Sequence, residues 1–151
     1  MGFKFSLQRL LRTREHVEKQ RWRELQAASN RLISARENLR LFHEWNENEK
    51  LLRAGRMNSP DLRAAEIHFW RDCDQVSAQQ EKILLQSVAQ LEGDYQIAFH
   101  RFHQARCSRE VISELRQRAY ESYRSEVQKK EQLEADETFI MRYRQQEPFA
   151  H

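Results

Sequence analysis

What most limits this chain is how few helix breakers it has and where they lie. Glycine and proline come close together only in LLRAGRMNSPDLRAAE, residues 51–66; elsewhere there are only Gly2, Gly93 and Pro148. Three glycines and two prolines in 151 residues is far below the usual roughly 7% and 5%. Such a chain lacks the turn residues of a fold with many short elements and reads as long helices. Hydrophobic residues make up 39% and charged residues 32%, which suits helices that bury a narrow apolar seam.

From Leu25 the apolar positions run Leu25, Ala28, Leu32, Ala35, Leu39, Phe42, alternating steps of three and four, the a/d spacing of a coiled coil. Upstream, Leu7, Leu10, Leu11, Val17 and Trp22 fall on a broader face. With Ser6 as N-cap, helix 1 spans about residues 6–53. Gly55 then supplies a left-handed closing residue, and Ser59-Pro60-Asp61 supplies N-cap, first helical residue and first-turn acid. The turn covers 54–60, and so short a connection sends helix 2 back beside helix 1.

Helix 2 extends over about 61–146, because no proline interrupts it before Pro148 and Gly93 costs only roughly 1 kcal/mol in a helix interior. Its seam is Val88, Leu91, Tyr95, Ala98, Phe102, Ala105, Arg109 and Ile112, broken only by Arg109. The predicted fold is all-α: a long two-helix antiparallel coiled coil, or α-hairpin, forming a single domain over 1–151. At 1.5 Å per residue helix 2 is ~130 Å long and helix 1 ~70 Å. Pairing about the turn matches residues whose numbers add to about 114, so helix 1 covers helix 2 only to about residue 108. The C-terminal overhang still carries Ile112, Leu115, Ala119, Tyr123, Val127, Leu133 and Ile140. A lone solvated helix has no need of a seam; the overhang folds back, self-associates or meets another protein.

Charge is unevenly placed. Residues 1–54 hold 12 Lys/Arg against 7 Asp/Glu, and residues 61–108 hold 5 against 7, so a basic helix 1 faces a slightly acidic helix 2. No apolar run is long enough to span a membrane, and the N-terminus has no signal-like apolar core. Cys73 and Cys107, ~51 Å apart on one helix, cannot form an intrachain disulfide, which suits a reducing compartment.

Nothing points to an enzyme: there is no GxxxxGKS/T, GxGxxG, HExxH or CxxC, and a two-stranded coil encloses no pocket for tuning a catalytic pKa. His100, His103 and Cys107 share a helix face, with His16 or Asp94 as conceivable fourth ligands; the simpler reading is two half-exposed histidines beside a seam cysteine, with no metal and no cofactor. The basic start (Lys4, Arg9, Arg12, Arg14, Lys19, Arg21, Arg23) is diluted by Glu15, Glu18 and Glu24 and surrounds its helix, which fits a solvated face or an acidic protein contact better than nucleic acid or lipid. Near the turn, Phe42, Trp45, Phe69, Trp70, Cys73 and Val76 are more apolar bulk than a thin coil can bury, which favours an exposed interface.

FKFSLQRLLRTREHVEKQ resembles the opening of the FliJ family of bacterial flagellar export proteins: a Phe-x-Phe element, a Leu-x-x-Leu-Leu pattern, then Arg-Glu. The likeness continues through AASNRLISARENLRL, the central turn and the charged ELRQRAYESYRSEVQKKEQLEADE, and so covers nearly the whole chain. It implies a non-enzymatic antiparallel coiled coil similar to the stalk of a rotary ATP synthase. Its partners would be the hexameric export ATPase, the cytoplasmic domain of the membrane export gate and some substrate chaperones, and its location the cytoplasm at the membrane's inner face by the flagellar base.

By position, the resemblance implies gate contacts at Asn38, Phe42 and Trp45 on helix 1 and at Phe69, Val76, Gln80 and Ile83 on helix 2; Glu49 stands where the family has a second aromatic. It implies ATPase contacts on the paired termini, at Arg9, Arg12, Arg116, Arg118, Tyr120, Tyr123 and Arg124. The equivalent stalk of a virulence type III secretion system, a self-associating structural rod, and a nucleic-acid or membrane-surface binder are the other readings.

Overall fold

The computed structural model describes residues 2–146; Pro148, the stop expected after helix 2, lies outside the described residues. There are two helices, α1 over Gln8–Met57 and α2 over Ala64–Gln146, and no strand among the described residues. The chain forms two compact units. One is Lys19–Gln104, which contains the connection between the helices; the other joins residues 2–18 to residues 105–146. Within each unit α1 and α2 pack side by side and antiparallel, the all-α hairpin pairing expected.

The helix ends differ from those read off the sequence. Ser6 is not the N-cap: residues 6–7 form a turn, with the Gln8 N–H donating to the Phe5 carbonyl at 3.2 Å and the Leu11 N–H to the Leu7 carbonyl at 2.9 Å. Gly55 is not a left-handed cap. It lies inside α1 and has no positive φ, because a glycine permits a stop without compelling one and costs a continuing helix only ~1 kcal/mol. The connection is therefore residues 58–63 rather than 54–60. Ser59 N–H donates to the Arg56 carbonyl (3.0 Å), Leu62 N–H to that of Ser59 (3.4 Å) and Glu66 N–H to that of Arg63 (3.1 Å). Pro60 sits in this double turn, and α2 opens at Ala64 instead of Asp61.

In the unit Lys19–Gln104 the seam falls where the a/d spacing puts it. Leu25, Ala28, Leu32, Val88 and Ala98 are buried, and Tyr95 and Phe102 pack on the Leu25–Ala28–Ala98 cluster. Alanine facing alanine lets the two backbones approach closely, while burial of each leucine contributes about 1.5–3 kcal/mol. The pairing register is longer than the one centred on 54–60. Trp22 stacks obliquely on Phe102, ring centroids 5.2 Å apart, and Arg36 bonds Glu92 at 3.0 Å. A sum of 114 would have set those two residues opposite positions near 92 and 78.

In the terminal unit Leu11 and Ala105 are buried. Arg109, the one break in the α2 seam, is answered by Glu18: the guanidinium donates to the two carboxylate oxygens at 2.5 and 3.4 Å. Ahead of α1, Phe3 packs against Tyr120 and Tyr123, centroids 5.3 and 5.5 Å away. Cover on α2 thus reaches well past 108, since residues 2–7 add to the shifted register. Val127 is the last half-buried position, and residues 128–146 are all exposed; the overhang starts later than expected and is shorter.

Candidate functional site

Beyond Phe42 the α1 seam turns polar. The half-buried positions are Asn46, Glu49 and Arg53, and α2 answers with Glu66, Trp70, Cys73, Ser77 and Glu81. Glu49, the departure from the family pattern, is thus a seam residue. Two ion pairs close this stretch, Arg53 to Asp74 at 2.5 Å and Arg56 to Glu66 at 3.2 Å, and the His43 Nε2 lies in hydrogen-bond contact with Glu81 at 3.0 Å. Both ion pairs put the cation on α1 and the carboxylate on α2, the asymmetry expected from the segment charges. Hydrogen bonds from Arg56 hold the Glu66 carboxyl below its ordinary range and raise the guanidinium's own pKa.

Large apolar side chains lie outside this polar seam. Trp45 is 53% exposed, Phe69 65%, Val76 70% and Ile83 53%. Leu41 and Leu52 are exposed too. The two flanks of the seam differ in chemistry. Arg36–Glu92 lies on the e side of both helices, with Arg40, His43, Glu47 and Lys50 on the same or the adjoining row of α1. The opposite flank is formed by the g and c positions of the two antiparallel helices. On α1 it reads Asn38, Leu41, Trp45, Asn48, Leu52; on α2 it reads Phe69, Asp72, Val76, Gln80, Ile83. Asp72 is the one charged position in it, in a chain that is 32% charged.

Of the seven gate-contact candidates, six (Asn38, Trp45, Phe69, Val76, Gln80, Ile83) are exposed and share this flank. Phe42 is half-buried in the seam, its ring 6.2 Å from that of Trp45. Leu41 and Leu52 were missed; their signal is the spacing 41, 45, 52, which repeats an apolar residue one step off the seam. Trp70 and Cys73 are half-buried, so part of the aromatic bulk is packing.

The ATPase-contact candidates lie in the terminal unit. Arg9, Arg12, Arg116, Arg118 and Arg124 are exposed, Tyr120 is 43% exposed and Tyr123 is half-buried. The tyrosines hold Phe3, a role their positions alone did not reveal. Farther along α2, Leu133, Phe139, Met141 and Tyr143 are each exposed by 59–70%.

No group of three or more His, Cys, Asp or Glu side chains suited to a metal occurs among the described residues; the His103 ring stacks on Phe99, 6.5 Å away and nearly parallel. Among the described residues no polar or charged group is buried, and no helix is long and apolar enough to cross a membrane. No family model, no curated protein and no solved structure matches this chain.

Proposed function

We propose that the chain is a non-enzymatic stalk of a bacterial flagellar type III protein export apparatus, which works by contact and position rather than chemistry. The reading rests on the FliJ-like sequence pattern. The observation that carries it furthest is the largely apolar flank, where six of the seven residues assigned to the export gate stand exposed on one face. A side chain such as Trp45 or Phe69 gains from burial only when a partner covers it. The exposed α2 segment 128–146 and the arginines of the terminal unit are the surface offered to a hexameric export ATPase, with substrate chaperones as further partners. Its place is the cytoplasm at the membrane's inner face, reached through those partners. The equivalent stalk of a virulence secretion system would share every one of these surfaces.

Capture of the tagged full chain from the lysate of its own organism tests the reading, with co-purification of an export ATPase as the expected result. Trp45→Ala with Phe69→Ala should leave far-UV helicity unchanged, because both rings are exposed, and should lower recovery of the export gate at least about tenfold, a hot-spot loss of ~1.4 kcal/mol or more. Loss of helicity in that variant, or a lysate that yields neither ATPase nor gate, overturns it.

A further inference from the structure

In the terminal unit, residues 2–7 lie on α2 as a strap rather than a helix. Among the described residues no backbone hydrogen bond ties them to α2; the Phe5 and Leu7 carbonyls accept from Gln8 and Leu11 of α1 instead. Side chains make the hold, and Phe3 is its anchor. Its ring stands nearly edge-on to Tyr120, with 5.3 Å between centroids and 78° between planes, and tilted on Tyr123 at 5.5 Å and 46°. Beside it runs an open cleft of about 750 Å³, walled by Phe3 and Lys4 on one side and by Ala119, Tyr123 and Glu126 on the other. We propose that this seat is a peptide-binding site. Tyr120, Tyr123 and the adjoining cleft take an aromatic side chain from an extended segment of another protein, and residues 2–7 are the built-in competitor that fills the seat until such a segment displaces them.

Three observations carry this. The first is the present occupant. A non-helical segment bearing a phenylalanine is already seated there, and its Lys4 shares the cleft with Glu126, so the site suits an aromatic next to a cation. The second is that the strap can leave without dismantling the fold. It shares no backbone ladder with α2, and the turn at 6–7 gives it a joint. The buried Leu11 and Ala105 and the Glu18–Arg109 pair all lie on the far side of that joint. The third is access. Tyr120 stays 43% exposed while it holds Phe3, so an incoming ring can touch the seat before the strap has gone. Under the export reading the displacing protein is the ATPase, to which the resemblance gives both tyrosines; the inference rests on that reading for the partner's name alone.

The numbers follow from the contacts. Two ring pairs favour the seated strap by about tenfold, which leaves on the order of 10% of chains open. A segment on a short tether has an effective concentration in the millimolar range. The same segment supplied in trans should therefore bind the vacated seat with a Kd on the order of 100 µM. The parent should bind it about tenfold more weakly, because only the open fraction accepts it.

The test uses the purified full chain carrying Phe3→Ala, titrated into a fluorescein-labelled peptide of residues 2–8 and read by anisotropy. Saturable binding near 100 µM is expected, with about tenfold weaker binding by the parent. A peptide with alanine in place of Phe3 should bind at least about tenfold more weakly than the native peptide. Adding Tyr120→Ala and Tyr123→Ala to the Phe3→Ala chain should abolish binding at unchanged far-UV helicity. No binding by the Phe3→Ala chain up to about 1 mM, well above the value set by the effective concentration, overturns the proposal. So does a parent that binds as tightly, a control peptide that binds equally, or binding that survives loss of both tyrosines. Where the parent captures an export ATPase, the Phe3→Ala chain should capture it about tenfold more tightly, and equal or weaker capture also overturns the proposal. Peptide binding as expected, with no ATPase held by either chain, supports the seat and overturns the export reading instead.

Discussion

Replacing Glu18 by Gln removes one charge and keeps the side chain's length, leaving the Arg109 guanidinium in the seam without its counter-ion. The cost can be bracketed from the structure. The two side chains keep only 20% and 26% of their exposure, and the carboxylate accepts from two guanidinium nitrogens. Breaking a fully buried pair costs about 3–5 kcal/mol, while exposed pairs are worth about 0.2–1 kcal/mol. A site three-quarters buried falls between, at about 2 kcal/mol. For a chain of this size that lowers the melting midpoint by about 4–8 °C, read by circular dichroism at 222 nm. Arg109→Met should cost a similar amount. The double change Glu18→Leu with Arg109→Met should recover most of the loss, because a well-packed apolar pair does as well as an ion pair in such a place; with Glu18→Leu alone as the matching single, the cycle should give a coupling of about 1–2 kcal/mol. A Glu18→Gln chain that melts within 1 °C of the parent, or a double variant as unstable as the two singles together, refutes the reasoning and makes the pair ornamental.

Gly55→Ala and Gly93→Ala should each stabilise the chain by about 0.5–1 kcal/mol, since neither glycine has positive φ and an added Cβ meets nothing within 4 Å; a lowered midpoint for Gly55→Ala would restore it as a helix stop. Phe3→Ala should remove about 1 kcal/mol of aromatic contact and speed amide exchange near residue 120, while the unit Lys19–Gln104 keeps its protection. The Glu66 carboxyl is a stronger acid in the folded chain, because Arg56 bonds its charged form. Its stabilising effect is therefore present above the ordinary value of 4.5 and lost as pH falls through the lower folded value. Protection from exchange at the start of α2 should fall on that acid limb, and Glu66→Gln should flatten the fall by lowering protection at neutral pH to the level the parent reaches in acid.

The central seam was readable because periodicity alone decides it: Leu25, Ala28 and Leu32, then Val88 and Ala98, recur at steps that only one helix face can satisfy. The register was not readable to the same precision. It depends on where the connection lies, and each residue by which the turn moves shifts the pairing by two. Reading Gly55 as a stop therefore misplaced every cross-helix partner, and Arg109 stood out as an anomaly while Glu18 went unnoticed as its answer. Trp45 and Phe69 were conspicuous as rings, but Leu41 and Leu52 look like core until the seam is known to pass through Asn46, Glu49 and Arg53. The seat of Phe3 on Tyr120 and Tyr123 could not be inferred from helical spacing, because residues 2–7 are not helical.

That seat has a consequence for the order of events in synthesis. Partners across the chain lie ever farther apart in sequence: Arg56 and Glu66 by ten residues, Arg53 and Asp74 by 21, Arg36 and Glu92 by 56, Glu18 and Arg109 by 91. Short loops close at the least entropic cost, so joining starts at the connection and each later contact shortens the loop that the next must close. Phe3 stands at the end of this ladder. It is made before either helix, yet its tyrosines follow well over a hundred positions later, a wait of roughly 6–24 s at common rates of translation. Through that interval the nascent chain carries an unseated aromatic ahead of α1, available to anything that waits near the ribosome.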